Sequence, residues 1–327
     1  MQFSTAHLSV LLASICSFLL ESCVSVPPAA PYARSSAPVG FEAQSPTSLA
    51  LDAQSRIYFS DQGLFSIVRI DDFSGSGLVS YGQKGYGGAG SFRGLEGDIA
   101  VDGEGRIYVI DTRAAKLVRF DDMTGSGWIE LDTAALGLPV PEGLAVDVAG
   151  RIYIGDSYRG LIARVDSMQG NGLIRFGEKG SGVGQFLDPR GIAIDASGRI
   201  VIVDNVNDRL VRIDDMSGAN WISYDGADRD GKGGFSEPAR VILAPDQSLY
   251  VTDPTLGRVY HFDDMTGAGR QIWGWDGSGA RPMQCFGIGL DQSGHIVLVD
   301  SQGKRILRID DMSGRGLISF PPHGPQP

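Results

Sequence analysis

Asp98, Glu142, Arg190 and Arg240 are the residues whose types and spacing most invite chemistry, because they fall about one repeat length apart and number two of each sign. Brought to one rim, two guanidiniums and two carboxylates would hold a polar or anionic small molecule, or the end of a peptide or glycan, through forked Arg hydrogen bonds. The competing reading is that the four groups pair with one another across the rim and bind only water. Arg113, Tyr158, Arg159, Asn205 and Asn207 stand in turns that the same geometry brings to this rim, adding donors and an aromatic edge.

What must position these side chains is a unit copied six times. The segment ValArgIleAspAsp at residues 68–72 returns in variant form around Arg119, Arg164, Arg212, His261 and Arg308, at spacings of 50, 45, 48, 49 and 47 residues. A period of that size is one supersecondary unit. The fourth copy is the clearest: GIAID at 191–195, the turn AlaSerGly, RIVIVD at 199–204, the turn AsnValAsnAsp, RLVRI at 209–213, and a last short run at 221–224. Runs of four to six residues rich in Ile, Val and Tyr, punctuated by Gly, Asp, Asn and Ser, read as strands and turns. Beyond the N-terminal segment no window carries the apolar spacing of a helix, so the body is expected to be all-β. Four strands cannot bury both faces of their sheet alone, and six such sheets set radially bury one another. The expected fold is a six-bladed β-propeller over residues 45–321, with 322–327 as a tail.

The phrase at 184–195, GlyGlnPheLeuAspProArgGlyIleAlaIleAsp, followed by RIVIVD, a polar turn and an Arg-rich strand, resembles the NHL-repeat family over roughly residues 45–320. The resemblance implies a propeller of NHL-like repeats, a fold used both by binding scaffolds and by enzymes. The family's Asn three residues after the strand-ending Asp survives only as Asn207, with Leu64, Ala114, Arg159, Leu256 and Gly303 elsewhere. Propellers of the gluconolactonase-like type hold a cation with Glu, Asn and Asp. That likeness implies a divalent-metal-dependent hydrolase or lactonase in which Asp98, Glu142 and Asn205 bind Ca2+ or a similar ion and water is the nucleophile.

Other chemistry-bearing residues read as architecture. Asp pairs at Asp71, Asp121, Asp214, Asp263 and Asp310, each followed by Gly, offer hard oxygens for calcium, yet they lack the alternating spacing of a dedicated loop and fit ordinary hairpin turns. The strand-ending acids Asp61, Asp111, Asp156, Asp204, Asp253 and Asp300 recur in every copy and suit turn capping. The four histidines, His7, His261, His295 and His323, are too scattered for a His-rich zinc site or a Ser, His, Asp triad. Trp128, Trp221 and Trp273 belong to outer strands, and Phe92, Phe186 and Phe235 to crossovers, where they fill seams.

Strand order then separates the two faces of the disc. Turns between second and third strands share the upper face with the blade-to-blade crossovers, and the AspAsp turns lie below. Function is expected where the copies disagree. At the start of the first strand the series Thr47, Gly97, Glu142, Arg190, Ala239, Phe286, followed by Ser48, Asp98, Gly143, Gly191, Arg240, Gly287, places the four charged residues at the upper mouth.

Residues 1–22 read as a signal peptide with an apolar stretch from Leu8 to Leu20, too short to span a bilayer. LeuGluSerCys at 20–23 is similar to a bacterial lipobox, so Cys23 is the expected lipidation site; a cleaved, soluble secreted form is the alternative. Residues 23–44 form a Pro, Ala and Ser-rich tether. Lipidation leaves Cys285 unpaired, whereas a Cys23 to Cys285 disulfide is the competing account. With 28 basic against 39 acidic residues and a net charge of −11, nucleic acid is not an expected partner. The sequence thus points to an exported, lipid-anchored module of the cell envelope, touching the membrane only through its anchor. It is expected to bind a protein, peptide, glycan or polar small molecule through its upper face without a cofactor, the metal-dependent hydrolase being the alternative.

Overall fold

The computed structural model describes residues 40–227, 233–274 and 283–322, all within one compact unit. Residues 1–39, which include the expected signal segment, Cys23 and most of the expected tether, lie outside the described residues. Six four-stranded antiparallel sheets follow one another along the chain, within residues 46–81, 99–132, 141–176, 189–224, 240–274 and 285–320. The chain is an all-β six-bladed propeller. Its described helical content is two single 3-10 turns, Thr112–Ala114 and Asn205–Asn207.

The alternating pattern explains each blade. In the fourth, Ile200–Asp204 pairs with Arg209–Ile213 residue for residue, and Asp208 takes a left-handed conformation to close the turn between them. The second strand is buried along its whole length in five of the blades because both of its faces meet neighbouring sheets. Six hydrophobic clusters result, one in each seam between consecutive blades. Phe92, Phe186 and Phe235 are buried in their seams. Trp128 stacks on Phe120 at 5.8 Å and meets Phe92 at 5.6 Å. Burying one such ring fully is worth about 1.5–3 kcal/mol, so the aromatic plugs are a large share of each seam's adhesion.

The strand-ending aspartates tie these layers together. Asp61, Asp111, Asp156, Asp204, Asp253 and Asp300 are no more than 2% exposed. Each accepts backbone N–H bonds from the incoming crossover, and all but Asp204 accept another from the turn that follows; Asp204 instead takes the side-chain amide of Asn207. Asp61 takes those of Gln44, Ser45 and Leu64, and Asp111 those of Arg93, Gly94 and Ala114. On the opposite face, the second acid of the AspAsp pairs caps its own hairpin: Asp72 binds the N–H of Ser74, and Asp264 that of Thr266. Gly77 is required there because its φ of 64° is left-handed and a Cβ would strike Asp71.

The ring closes without exchanging a strand, since blades one and six are each built from one continuous stretch of chain. Phe41 covers the joint, stacking on Phe320 at 5.7 Å and meeting Phe59 edge-on at 6.4 Å. The Ser301 hydroxyl donates to the carbonyl of Pro46, and Gln292 reaches Ser55 and Ala53 from the last blade to the first. Cys285 begins the inner strand of blade six, fully buried and without a disulfide among the described residues. Burial pushes its thiol well above the usual range, making it an inert core residue.

Candidate functional site

The inner strands of adjacent blades are neighbours all round the ring and wall a central channel. Its upper mouth opens into a cavity of about 720 Å3, and Glu142, Arg190, Arg240, Thr47 and Phe286 are among its lining residues. In four blades the inner strand aims its side chain inward by breaking register. Shifts occur between Pro46 and Ser48, Pro141 and Gly143, Pro189 and Ile192, and Cys285 and Ile288. The residues caught in those shifts include Thr47, Glu142, Arg190 and Phe286. A bulge re-aims a side chain that a regular ladder would turn toward a seam. Gly191 lets two backbones approach here, for a Cβ on it would lie 2.8 Å from Arg240 Cα.

Ion pairing organises the charged residues. Arg190 Nε lies 2.9 Å from Asp188 and 3.1 Å from Glu142. Arg240, its side chain only 8% exposed, pairs through Nε with Asp98 and donates from Nη1 to the carbonyl of Ala239. Asp98 belongs to blade two and Arg240 to blade five, opposite members of a six-membered ring, so this pair is a strut across the channel. It stands in a narrow space of about 80 Å3 beneath the mouth. Burial pushes the Asp98 carboxyl above its ordinary range, opposed by Arg240. Burial likewise raises Glu142, opposed by Arg190.

The strut separates two unlike compartments. Below it the channel widens into about 570 Å3 lined by aliphatic side chains, among them Leu51, Val101, Ile194, Leu243 and Leu290. Above it the wall is polar, with Gln62, Gln284 and Gln302 contributing amides.

The residues singled out from sequence fall into three groups. Glu142, Arg190 and Arg240 line the mouth, while Asp98 lies under it with both oxygens engaged, Oδ1 by Ser48 and Arg240 and Oδ2 by the N–H of Leu144. Arg113 reaches the rim through its ion pair with Glu96, a lining residue. The remaining four are not among the lining residues. Asn205 is buried and clasps blade four to blade five by donating to the carbonyl of Pro238. Asn207 donates to Gly180 and Asp204. Tyr158 is 61% exposed, with Arg159 and Lys179 each under 6 Å from its ring centre. Asp98, Glu142 and Asn205 are therefore not assembled as a ligand set, and no group of three or more His, Cys, Asp or Glu able to hold a metal occurs among the described residues.

Sequence reasoning passed over Glu96, Gln62, Gln284 and Gln302 and did not count Phe286 as a binding residue. The signal for Phe286 was present, since it fills the series position that held Glu142 and Arg190. The glutamines had no such signal, because crossovers and turns bring them to the mouth from irregular places in the repeat.

A family model described as a 6-bladed beta-propeller matches residues 99–222. Among solved structures, a catalytically inactive form of virginiamycin B lyase from Staphylococcus aureus, with quinupristin, is similar at a TM-score of 0.58 and 14% identity, covering 85% of each chain. Hydrazine synthase of Kuenenia stuttgartiensis is similar at a TM-score of 0.57 and 15% identity over 83% of this chain and 78% of its own. A chain of a nidogen/laminin complex follows at 0.54 and 22%, over 68% and 77%. Likeness at these identities is one of fold alone. No curated protein matches the chain.

Proposed function

We propose that this protein is an exported, lipid-anchored binding module of NHL-type repeats that takes a small polar ligand at the upper mouth of its channel. One observation carries the reading: the 720 Å3 mouth is walled by side chains that differ from blade to blade, three of them, Glu142, Arg190 and Phe286, set at strand bulges, while the rest of the disc repeats. A rigid ring that keeps its framework constant and varies only its mouth is suited to recognition by a preformed site.

Two enzyme alternatives meet the chemistry of this mouth differently. The virginiamycin B lyase in the inactive form above has a histidine replaced by alanine, whereas no histidine is among the described lining residues of this mouth. A metal-dependent hydrolase would need open carboxylate oxygens, and here Asp98 and Glu142 are engaged by guanidiniums. Elemental analysis of the purified protein, before and after mild chelation, tests the module reading. A stoichiometric divalent ion that disappears from an Asp98→Ala, Glu142→Ala double variant would replace it with the hydrolase. Export and anchoring rest on the lipobox-like segment at 20–23; acylation of the wild type and its loss on Cys23→Ser, read by incorporation of labelled fatty acid, is the expected result.

A further inference from the structure

We infer that the ligand of this mouth is a neutral, hydroxyl-rich molecule, the end of a saccharide, held by amide and guanidinium edges against the face of Phe286. This rests on the binding-module reading and names the chemistry of its ligand.

Charge closure comes first. Arg190 already faces Glu142 and Asp188, Arg240 faces Asp98, and Arg113 faces Glu96. Four carboxylates answer three guanidiniums, so the paired set carries no surplus positive charge. An anionic ligand would gain the Arg edges only by meeting Glu142 and Glu96 as well, and like charges brought together cancel that gain. A cationic ligand meets the reverse difficulty, because the carboxylates are held by their own partners. Burial also raises the Asp98 and Glu142 carboxyls, which weakens the mouth further as a cation site.

What remains free is neutral or already balanced. The side chains of Gln284 and Gln302 make no hydrogen bond to a described residue, and both line the cavity. Neither terminal nitrogen of Arg190 has a partner among the described residues, its Nε alone being engaged. An amide offers both donors and acceptors, and a hydroxyl offers both in return, so a polyol can satisfy such a wall without leaving a buried group unpaired. A guanidinium pinned at Nε presents its outer N–H groups at fixed positions, which suits a pair of neighbouring ring hydroxyls. Phe286 supplies the complementary apolar surface. Its ring forms no pair with another described ring, and the bulge at the start of its strand turns it to the cavity. A pyranose has one such C–H face and one polar edge, and the mouth has both. The cavity volume falls in the range of small-ligand sites, and the strut below it closes the floor.

The test uses isothermal titration of the protein with named probes of similar size and different charge: N-acetylglucosamine and methyl α-glucoside as neutral saccharides, glucuronate as an anion, glucosamine as a cation and triglycine as a zwitterionic peptide. The expected result is binding of at least one neutral saccharide about tenfold or more tighter than any charged probe. That affinity should change little as salt rises from about 0.05 to about 0.5 M, since no net charge is being neutralised. Phe286→Ala and Gln284→Ala should each weaken it by about tenfold. Gln284→Ala is the safer of the two, because its side chain supports nothing else in the fold, and an unchanged melting temperature verifies this. Tyr158→Ala, outside the mouth, should leave affinity unaltered. Tighter binding of glucuronate, glucosamine or triglycine, or no saccharide binding at all, overturns the ligand class. The module reading itself fails on the separate metal analysis.

Discussion

The two ends of the same six inner strands have opposite characters. At the lower end every blade supplies an aliphatic residue, Leu51, Val101, Val146, Ile194, Leu243 or Leu290. At the upper end the corresponding residues are Thr47, Gly97, Glu142, Arg190, Ala239 and Phe286. Pairing to the second strand is regular at the lower end and shifted by a bulge at the upper end in four blades. A regular ladder forces its side chains to serve the ring, whereas a bulge frees a residue from that duty, so variation gathers where the register breaks.

The strut that divides these ends offers the hardest test of the contrast. Arg240→Ala leaves Asp98 buried without its partner and should cost about 3–5 kcal/mol in chemical denaturation. Replacing both, as Asp98→Leu with Arg240→Met, should recover most of that loss, because two apolar groups leave no uncompensated charge. A cost under about 1 kcal/mol for the single variant would show that the strut is an incidental contact.

Next in size is a pH effect at one upper-face staple. Burial pushes the Asp253 carboxyl up to about 6, against the backbone N–H groups of Ser236 and Leu256. A folded-state value above the unfolded one means the folded protein holds the proton more tightly. The associated stability is therefore present below about pH 4 and lost as pH rises through about 6. Relative to Asp253→Asn, the wild type should lose on the order of 3 kcal/mol across that window. A constant difference between the two denaturation profiles would remove Asp253 as the titrating group.

Leu243→Ala, at the lower end, should cost about 2 kcal/mol, since the side chain is only partly buried and its cavity opens to the channel. It should leave ligand binding at the mouth untouched; impaired binding would mean that the two compartments communicate across the strut. The smallest stability effect belongs to Gln302→Ala, expected within about 0.5 kcal/mol of wild type by thermal melting. A larger loss there would mean that the amide wall carries structure.

Much of this molecule was legible as sequence, and the boundary of legibility has a physical cause. The six blades, the upper position of the strand-ending aspartates and the packing role of Phe92, Phe186 and Phe235 follow from a local repeat, and local pattern is what a sequence displays directly. The reading of Asp98 as a mouth residue missed its depth, because a one-position step along an inner strand exchanges the mouth for the interior. Asn205 looked like a rim donor, yet its partner is the carbonyl of Pro238 in the next blade, a contact no single repeat encodes. The recurrence of each strand-ending acid did show that its task was architectural, and their paired bonds to crossover and turn explain why an acid is needed in every blade.

By itself the sequence determined the number of blades, the alternation that builds each one and the strand end at which the copies diverge. These are properties of short windows, fixed by side-chain volume, turn chemistry and a two-residue period. Only the tertiary structure decided which charges meet. Asp98 and Arg240 are 142 positions apart in the chain, and closure of the ring sets them across the channel from each other. Whether Arg190 faces a ligand or a carboxylate, and which glutamines complete the wall, depended on bulges and crossovers that place irregular residues in space. Burial then decided the outcome, since charges withdrawn from water must find partners within the protein before they can serve anything outside it.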